Sequence, residues 1–216
     1  MSPIPSITVL ISGRGSNLEA LHREASGYRV GAVISNRCDA RGIDWAKEAG
    51  LTTHVLHRQV FPTARDFHTA LLEVVMHTRP ALVVLAGYMA LLPPEFIAAC
   101  PARIINIHPS LLPKYPGLDT HARALAAGEL MHGCTAHFVD QGLDTGRVIA
   151  QVSVPIHPED DADALAERTR LAEHSLYPWV VRHVVTGDIT LADGHVRFSD
   201  DVRREALTFG YRLNTV

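Results

Sequence analysis

Along the first half of the chain, short apolar runs alternate with amphipathic stretches. Residues 7–11 (ITVLI) are apolar on both faces and lead into a turn, Ser12-Gly13-Arg14-Gly15, and a helical pattern from about Asn17. Residues 30–35 predict a second strand, and residues 41–49 a helix that Gly50 closes. Residues 53–56 predict a short strand. Thr63 with Asp66 forms a capping-box signature for a helix running to about Thr78. Two more apolar runs, residues 81–86 (ALVVLA) and 103–107 (RIINI), complete the series. Strands without alternation, separated by helices, imply a parallel sheet covered on both sides.

After His108 the texture changes. Residues 110–118 (SLLPKYPGL) are punctuated by Pro and Gly, which excludes regular structure and predicts a mobile loop. A helix over about 120–127 is closed by Gly128, and strands follow at 135–139 and 148–154. The looser period of these strands predicts one face less deeply buried. A helical pattern over 161–185 bends before Pro178, and its early acids Asp160, Asp161 and Asp163 suit a helix N-terminus better than a metal. Residues 189–198 predict a hairpin around Asp193-Gly194.

Composition narrows the function classes. The 216 residues are 47% hydrophobic and carry a formal charge of −3, enough for a full core and without the basic excess of a nucleic-acid binder. The longest apolar run, residues 81–92, is interrupted by Gly87 and is too short to span a bilayer; the first residues show no secretion-signal pattern. Three cysteines (Cys38, Cys100, Cys134) with no C-x-x-C pair fit a reducing cytoplasm. The 13 histidines fall in no zinc pattern, and the only lysines are Lys47 and Lys114, the second in the Pro/Gly-rich loop where it meets substrate or solvent.

Three constellations carry candidate chemistry. The first is the segment Ser12-Gly13-Arg14-Gly15-Ser16-Asn17, between strand and helix, where glycines and free N–H groups suit a phosphate. The third glycine of the dinucleotide fingerprint is missing, and Ser35-Asn36 stands where an acid would hold a ribose diol. That favours a phosphate monoester over NAD, beside the alternative of a bare tight turn. Second, Asn106 and His108 lie two apart at a strand end and emerge on one side, an amide donor beside an imidazole. The alternative is simple strand termination. Third, Asp144 lies between Gly142 and Gly146, and a carboxylate beside an imidazole fixes its tautomer; a surface turn acid is the plainer reading. Cys134 shares an apolar strand face with Ala136 and Phe138 and is expected to be structural, whereas His137 points the other way with Thr135 and borders a pocket.

Taken together, VLISGRGSNLEAL, ALVVLAGYM, RIINIHPSLLPKYPGLDTH, TAHFVDQGLDTGRVI and EHSLYP resemble the phosphoribosylglycinamide formyltransferase family over nearly the whole chain. The resemblance implies an α/β, Rossmann-like formyltransferase fold: a central, mostly parallel twisted sheet with helices on both faces and a C-terminal hairpin. It implies a single domain over 1–216, with a phosphate-binding half of about 1–102 and a catalytic and folate half of about 103–216. The implied reaction moves a formyl group from 10-formyltetrahydrofolate, a co-substrate, to the amine of 5'-phosphoribosylglycinamide. Formylglycinamide ribonucleotide and tetrahydrofolate result, in de novo purine (IMP) biosynthesis. No metal, nucleic acid or membrane is implied, and the protein is expected to be a cytoplasmic monomer or weak homodimer.

By matching motifs, the resemblance assigns catalysis to Asn106, His108 and Asp144, and substrate binding to Gly15, Ser16, Asn17 and Glu173. It assigns folate contact to Arg65, Met89, Ala90, Leu91, Leu92 and Asn106. Two positions depart from the pattern: Ala90 replaces a frequent arginine, and Asp119 replaces a histidine. In the implied mechanism the Asn106 amide and a protonated His108 stabilise the oxyanion, while Asp144 favours the imidazolium and relays the amine proton. A formyltetrahydrofolate deformylase, a methionyl-tRNA formyltransferase and a non-catalytic sensor of phosphorylated metabolites are the alternatives. The first two would need additional domains, and the third would keep ligand binding without turnover.

Overall fold

A computed structural model describes residues 3–100 and 103–214, which divide into two compact units, Met1–Asn106 and Ile107–Val216. The residue expected to end the N-terminal half, 102, lies outside the described residues, as do the first two residues of the chain.

The first unit is built on parallel strands. β1 (Ser6–Ile11), β2 (Arg29–Ser35), β3 (Thr53–Val55), β4 (Leu82–Leu85) and β5 (Arg103–His108) lie in the order β3-β2-β1-β4-β5, every pair parallel. The last two residues of β5 carry the chain into the second unit. From Ile7 to Ile11 the only polar residue in β1 is Thr8, and all five are buried. Each such aliphatic side chain contributes about 1.5–3 kcal/mol. Parallel neighbours need crossovers, supplied by α1 (Ser16–Arg23), α2 (Arg41–Glu48), α3 (Ala64–Thr78) and α4 (Pro94–Ala99). The Thr63 capping box forms as expected: its hydroxyl accepts from Asp66 N, and Asp66 accepts from the Thr63 backbone. α4 was not legible, because six residues opened by Pro94 give less than two turns of periodicity.

In the second unit, α5 (Thr120–Ala126) precedes the antiparallel strands β6 (Met131–Phe138) and β7 (Val148–Pro155). The long helix α6 (Ala162–Thr186) packs on both strands. It starts at Asp161, whose side chain accepts from Ala164 N, and runs unbroken through the buried Pro178. β7 has the partly exposed character expected, but β6 is buried on both faces from His132 to Phe138, because α6 and neighbouring chain cover it. The hairpin of β8 (Ile189–Ala192) and β9 (His195–Phe198) turns on Asp193-Gly194, both at positive φ. Beyond the expected elements, Ser199 caps α7 (Asp200–Phe209), and β10 (Arg212–Leu213) pairs antiparallel with β7. The sequence carried the α7 signal: a capping serine, two acids in the first turn, and Val202 and Ala206 four apart. The α/β class and the mostly parallel sheet are as expected.

Candidate active site

In the first unit, the glycine turn is tightly built. Gly15 caps α1 in the left-handed region (φ 84°), and a Cβ on it would stand 2.7 Å from the Cα of Gly42 at the start of α2. Gly42 N donates to the Gly13 carbonyl at 3.0 Å, so α2 braces the turn from behind. No side chain caps α1. Ser16 and Asn17 therefore begin the helix with backbone donors suited to an anion. Of the residues assigned to folate, Met89, Ala90, Leu91 and Leu92 form the loop after β4; Leu92 is buried, whereas Met89 and Leu91 are exposed. Arg65 is exposed in the first turn of α3. Asn106 is half-buried on β5, paired with Leu85.

In the second unit, His108 and Asp144 come together. His108 Nδ1 is 3.3 Å from Asp144 Oδ2, with both side chains largely buried. The Gly117 N–H donates to the same carboxylate at 2.9 Å, and His137 Nε2 stands 3.7 Å from its other oxygen. His137, buried on β6, thus stands beside the same carboxylate. The Asp144 loop is shaped by its glycines: a Cβ on Gly146 would come within 1.7 Å of the Phe138 carbonyl oxygen, and one on Gly142 within 2.0 Å of Thr145 Oγ1. Asp144 itself adopts a left-handed backbone at φ 55°, which aspartate tolerates at modest cost.

Electrostatics define the pair. Burial pulls the His108 pKa below its ordinary value, opposed by the Tyr115 carbonyl and by Asp144. Burial works to raise Asp144, but the nearby His137, the Gly117 hydrogen bond and the His108 imidazole outweigh it and lower its pKa. His108 Nε2 lies 2.9 Å from the Tyr115 carbonyl, an acceptor only, so Nε2 carries a proton. The neutral ring then turns its Nδ1 lone pair towards a carboxylate, and uptake of a second proton makes that contact attractive.

The loop at 110–118 is irregular, as its composition predicts, and is tied by hydrogen bonds to segments distant in sequence. The buried Thr135 hydroxyl donates to the Ser110 carbonyl at 2.6 Å and accepts from Leu112 N and from Gln151. The Ser110 hydroxyl donates to the Lys114 carbonyl at 2.6 Å, and Arg123 donates to the Pro116 and Leu118 carbonyls. Lys114 and Tyr115 both meet Glu129, at 2.6 and 2.8 Å. Side chains distant in sequence supply the order that local chemistry lacks. Beside this loop, the rings of His121 and His132 meet edge to face at 5.1 Å, which the sequence did not indicate. Glu173 is buried in α6, and burial together with Glu173 pushes the Cys134 thiol well above its ordinary pKa, in keeping with a structural cysteine. Asp119 opens α5 at positive φ without capping it by its side chain.

The formyl transferase family matches residues 6–181 of this chain. The chain belongs to that family. Among formyl transferases it is 41% identical over 190 residues to the phosphoribosylglycinamide formyltransferase of Escherichia coli K12, covering 86% of this chain and 90% of that protein. The crystal structure of glycinamide ribonucleotide transformylase 1 from Symbiobacterium toebii superposes with a TM-score of 0.88 at 38% identity, covering 93% of this chain and 96% of that one. The phosphoribosylglycinamide formyltransferase of Coxiella burnetii gives 0.86 at 41% identity, covering 91% and 94%. Among the described residues, no helix is long and apolar enough to cross a membrane, and no group of three His, Cys, Asp or Glu side chains is placed to hold a metal ion.

Proposed function

We propose that this formyl transferase moves the formyl group of 10-formyltetrahydrofolate to the amine of 5'-phosphoribosylglycinamide. The observation that supports this most is the buried His108–Asp144 pair, in a chain whose nearly full-length relatives carry that enzyme's name. The amine nitrogen attacks the formyl carbon, the bond from that carbon to folate N10 breaks, and the amine proton ends on N10. Formylglycinamide ribonucleotide and tetrahydrofolate are the products.

In this reading Asn106 donates its amide to the developing oxyanion, where one well-placed donor is worth about 10²–10³ in rate. His108 follows it by two residues on β5 and donates from Nε2 once the Tyr115 carbonyl gives way to substrate. Burial holds the His108 pKa below its ordinary value, and the ring carries its second proton, as the imidazolium, while the oxyanion is present. Asp144, held ionised, stabilises the imidazolium and relays the amine proton. Gly15, Ser16 and Asn17 are assigned to the phosphate, and Glu173 to the ribonucleotide. Arg65, Met89, Ala90, Leu91, Leu92 and Asn106 are assigned to the folate. The two units act as one formyltransferase domain, without a metal, in a cytoplasmic monomer or weak homodimer.

The test incubates the purified protein with both substrates and follows loss of the formyl group from the cofactor. Deformylation that depends on the amine is expected. Free formate released at the same rate without amine would instead make the protein a deformylase.

A further inference from the structure

One hydroxyl joins the ends of three adjacent strands. Ser12, which follows β1 and is 3% exposed, donates to Asn36 Oδ1 at 2.7 Å and accepts the Met89 N–H at 2.8 Å. Its own N–H donates to the Gly87 carbonyl at 3.1 Å. Asn36 follows β2 and Met89 lies beyond β4, and β2, β1 and β4 are neighbours. On the far flank of the same loop, His68 in α3 faces the Leu91 carbonyl, which works against the lowering of its pKa by burial.

These bonds matter because packing holds this loop mainly at Tyr88, whose hydroxyl is buried, and at Leu92. Met89 and Leu91, its two large apolar side chains, are 74% and 68% exposed. Beyond Tyr88 the backbone is therefore positioned by main-chain bonds at 87 and 89, both from Ser12, three residues before Gly15, with His68 facing the carbonyl of 91. A serine hydroxyl has a single proton; with that proton given to Asn36, its lone pairs are directed to Met89 N.

We infer that Ser12 is a positioning residue, seconded by Asn36 and His68. It presets the backbone of residues 87–92 to receive the folate co-substrate and links that loop to the glycine turn. This rests on the folate role proposed above for Met89 to Leu92. A preset loop has less ordering entropy to lose when ligand binds, so removing the tether weakens folate affinity more than it slows the chemical step.

The experiment compares Ser12→Ala, Ser12→Thr and His68→Phe with the wild type, measuring kcat and KM for each substrate and amide hydrogen exchange at Met89. For Ser12→Ala we expect the folate KM to rise about tenfold, equivalent to about 1.4 kcal/mol. That rise should exceed any fall in kcat, and Met89 exchange should be at least about tenfold faster in the absence of substrate. Ser12→Thr keeps the hydroxyl and restores both quantities. His68→Phe raises the folate KM through the Leu91 flank, and it decides the matter if Ser12→Ala does not fold. Unchanged folate KM in folded Ser12→Ala and His68→Phe would overturn the inference, as would unchanged Met89 exchange in Ser12→Ala. A wild type inactive on both substrates would sink the assigned reaction instead, and the exchange measurement would still judge the tether.

Discussion

Folding should become costly in acid at His132, well before the carboxylates respond. This side chain, 1% exposed on β6, uses one ring nitrogen on the Pro109 carbonyl, while its Nε2 is buried without a hydrogen-bond partner. Burial first, and then the facing His121 and the more distant His108, bring its pKa down from 6.5 to about 4, against the Pro109 carbonyl and, less, Glu129. The folded protein thus resists a proton that the unfolded chain accepts, so stability is full above pH 6.5 and falls as the pH drops towards 4. With those two values the loss is about 2 kcal/mol at pH 5 and approaches about 3 kcal/mol lower down. His108 and His121, also lowered chiefly by burial, act in the same direction. Asp160, held at about 2 by Arg168, responds only in stronger acid. Urea unfolding followed by far-UV circular dichroism between pH 7.5 and 4.5 measures the dependence. His132→Asn keeps a donor for the Pro109 carbonyl and removes the titrating ring, so its stability should fall less steeply over that window. A wild-type urea midpoint that stays constant from pH 7 to 5, or an Asn variant as acid-sensitive as the wild type, would refute the reasoning.

Other substitutions separate chemistry from architecture. Asn106→Ala should fold normally and lose about 10²–10³ in kcat, read by steady-state kinetics, as expected for a lost oxyanion donor. Asp144→Asn keeps an acceptor for the Gly117 N–H and so should keep its fold by circular dichroism, while kcat falls about 10²–10⁴. Gly15→Ala places a Cβ against Gly42 at a left-handed φ, so both thermal stability and ribonucleotide affinity by calorimetry should drop. Thr135→Val leaves the Ser110 carbonyl and Leu112 N–H without their buried partner, and should cost about 1–3 kcal/mol in urea unfolding.

What could be seen in the one-dimensional pattern was whatever depends on neighbours in sequence. The apolar runs of β1, β2, β4 and β5, the Thr63 capping box, the Asp193-Gly194 turn and the glycines around Asp144 are local, and all appear where the pattern placed them. Helix α4 escaped because it is too short to show a period, and α7 was passed over despite its Ser199 cap. The motifs also marked Asn106, His108 and Asp144 as candidates, since an amide, an imidazole and a carboxylate in loops and strand ends are chemically conspicuous.

Tertiary structure decided how those groups are held. The contact of His108 with Asp144, 36 positions apart in the chain, depends on the path of the loop after β6. Its electrostatics depend on burial, which no residue carries in its own identity, and burial moved the His108 pKa opposite to what the adjacent carboxylate alone would do. The 110–118 loop has a composition that favours irregular structure, and Thr135 and Gln151, from strands far along the chain, tie it by hydrogen bonds. Ser12 looked like one member of a glycine turn until folding brought Asn36 and Met89 to its hydroxyl. Propensity and periodicity act over a few residues and are written in order along the chain, whereas desolvation and long-range hydrogen bonds exist only once distant segments share the same space.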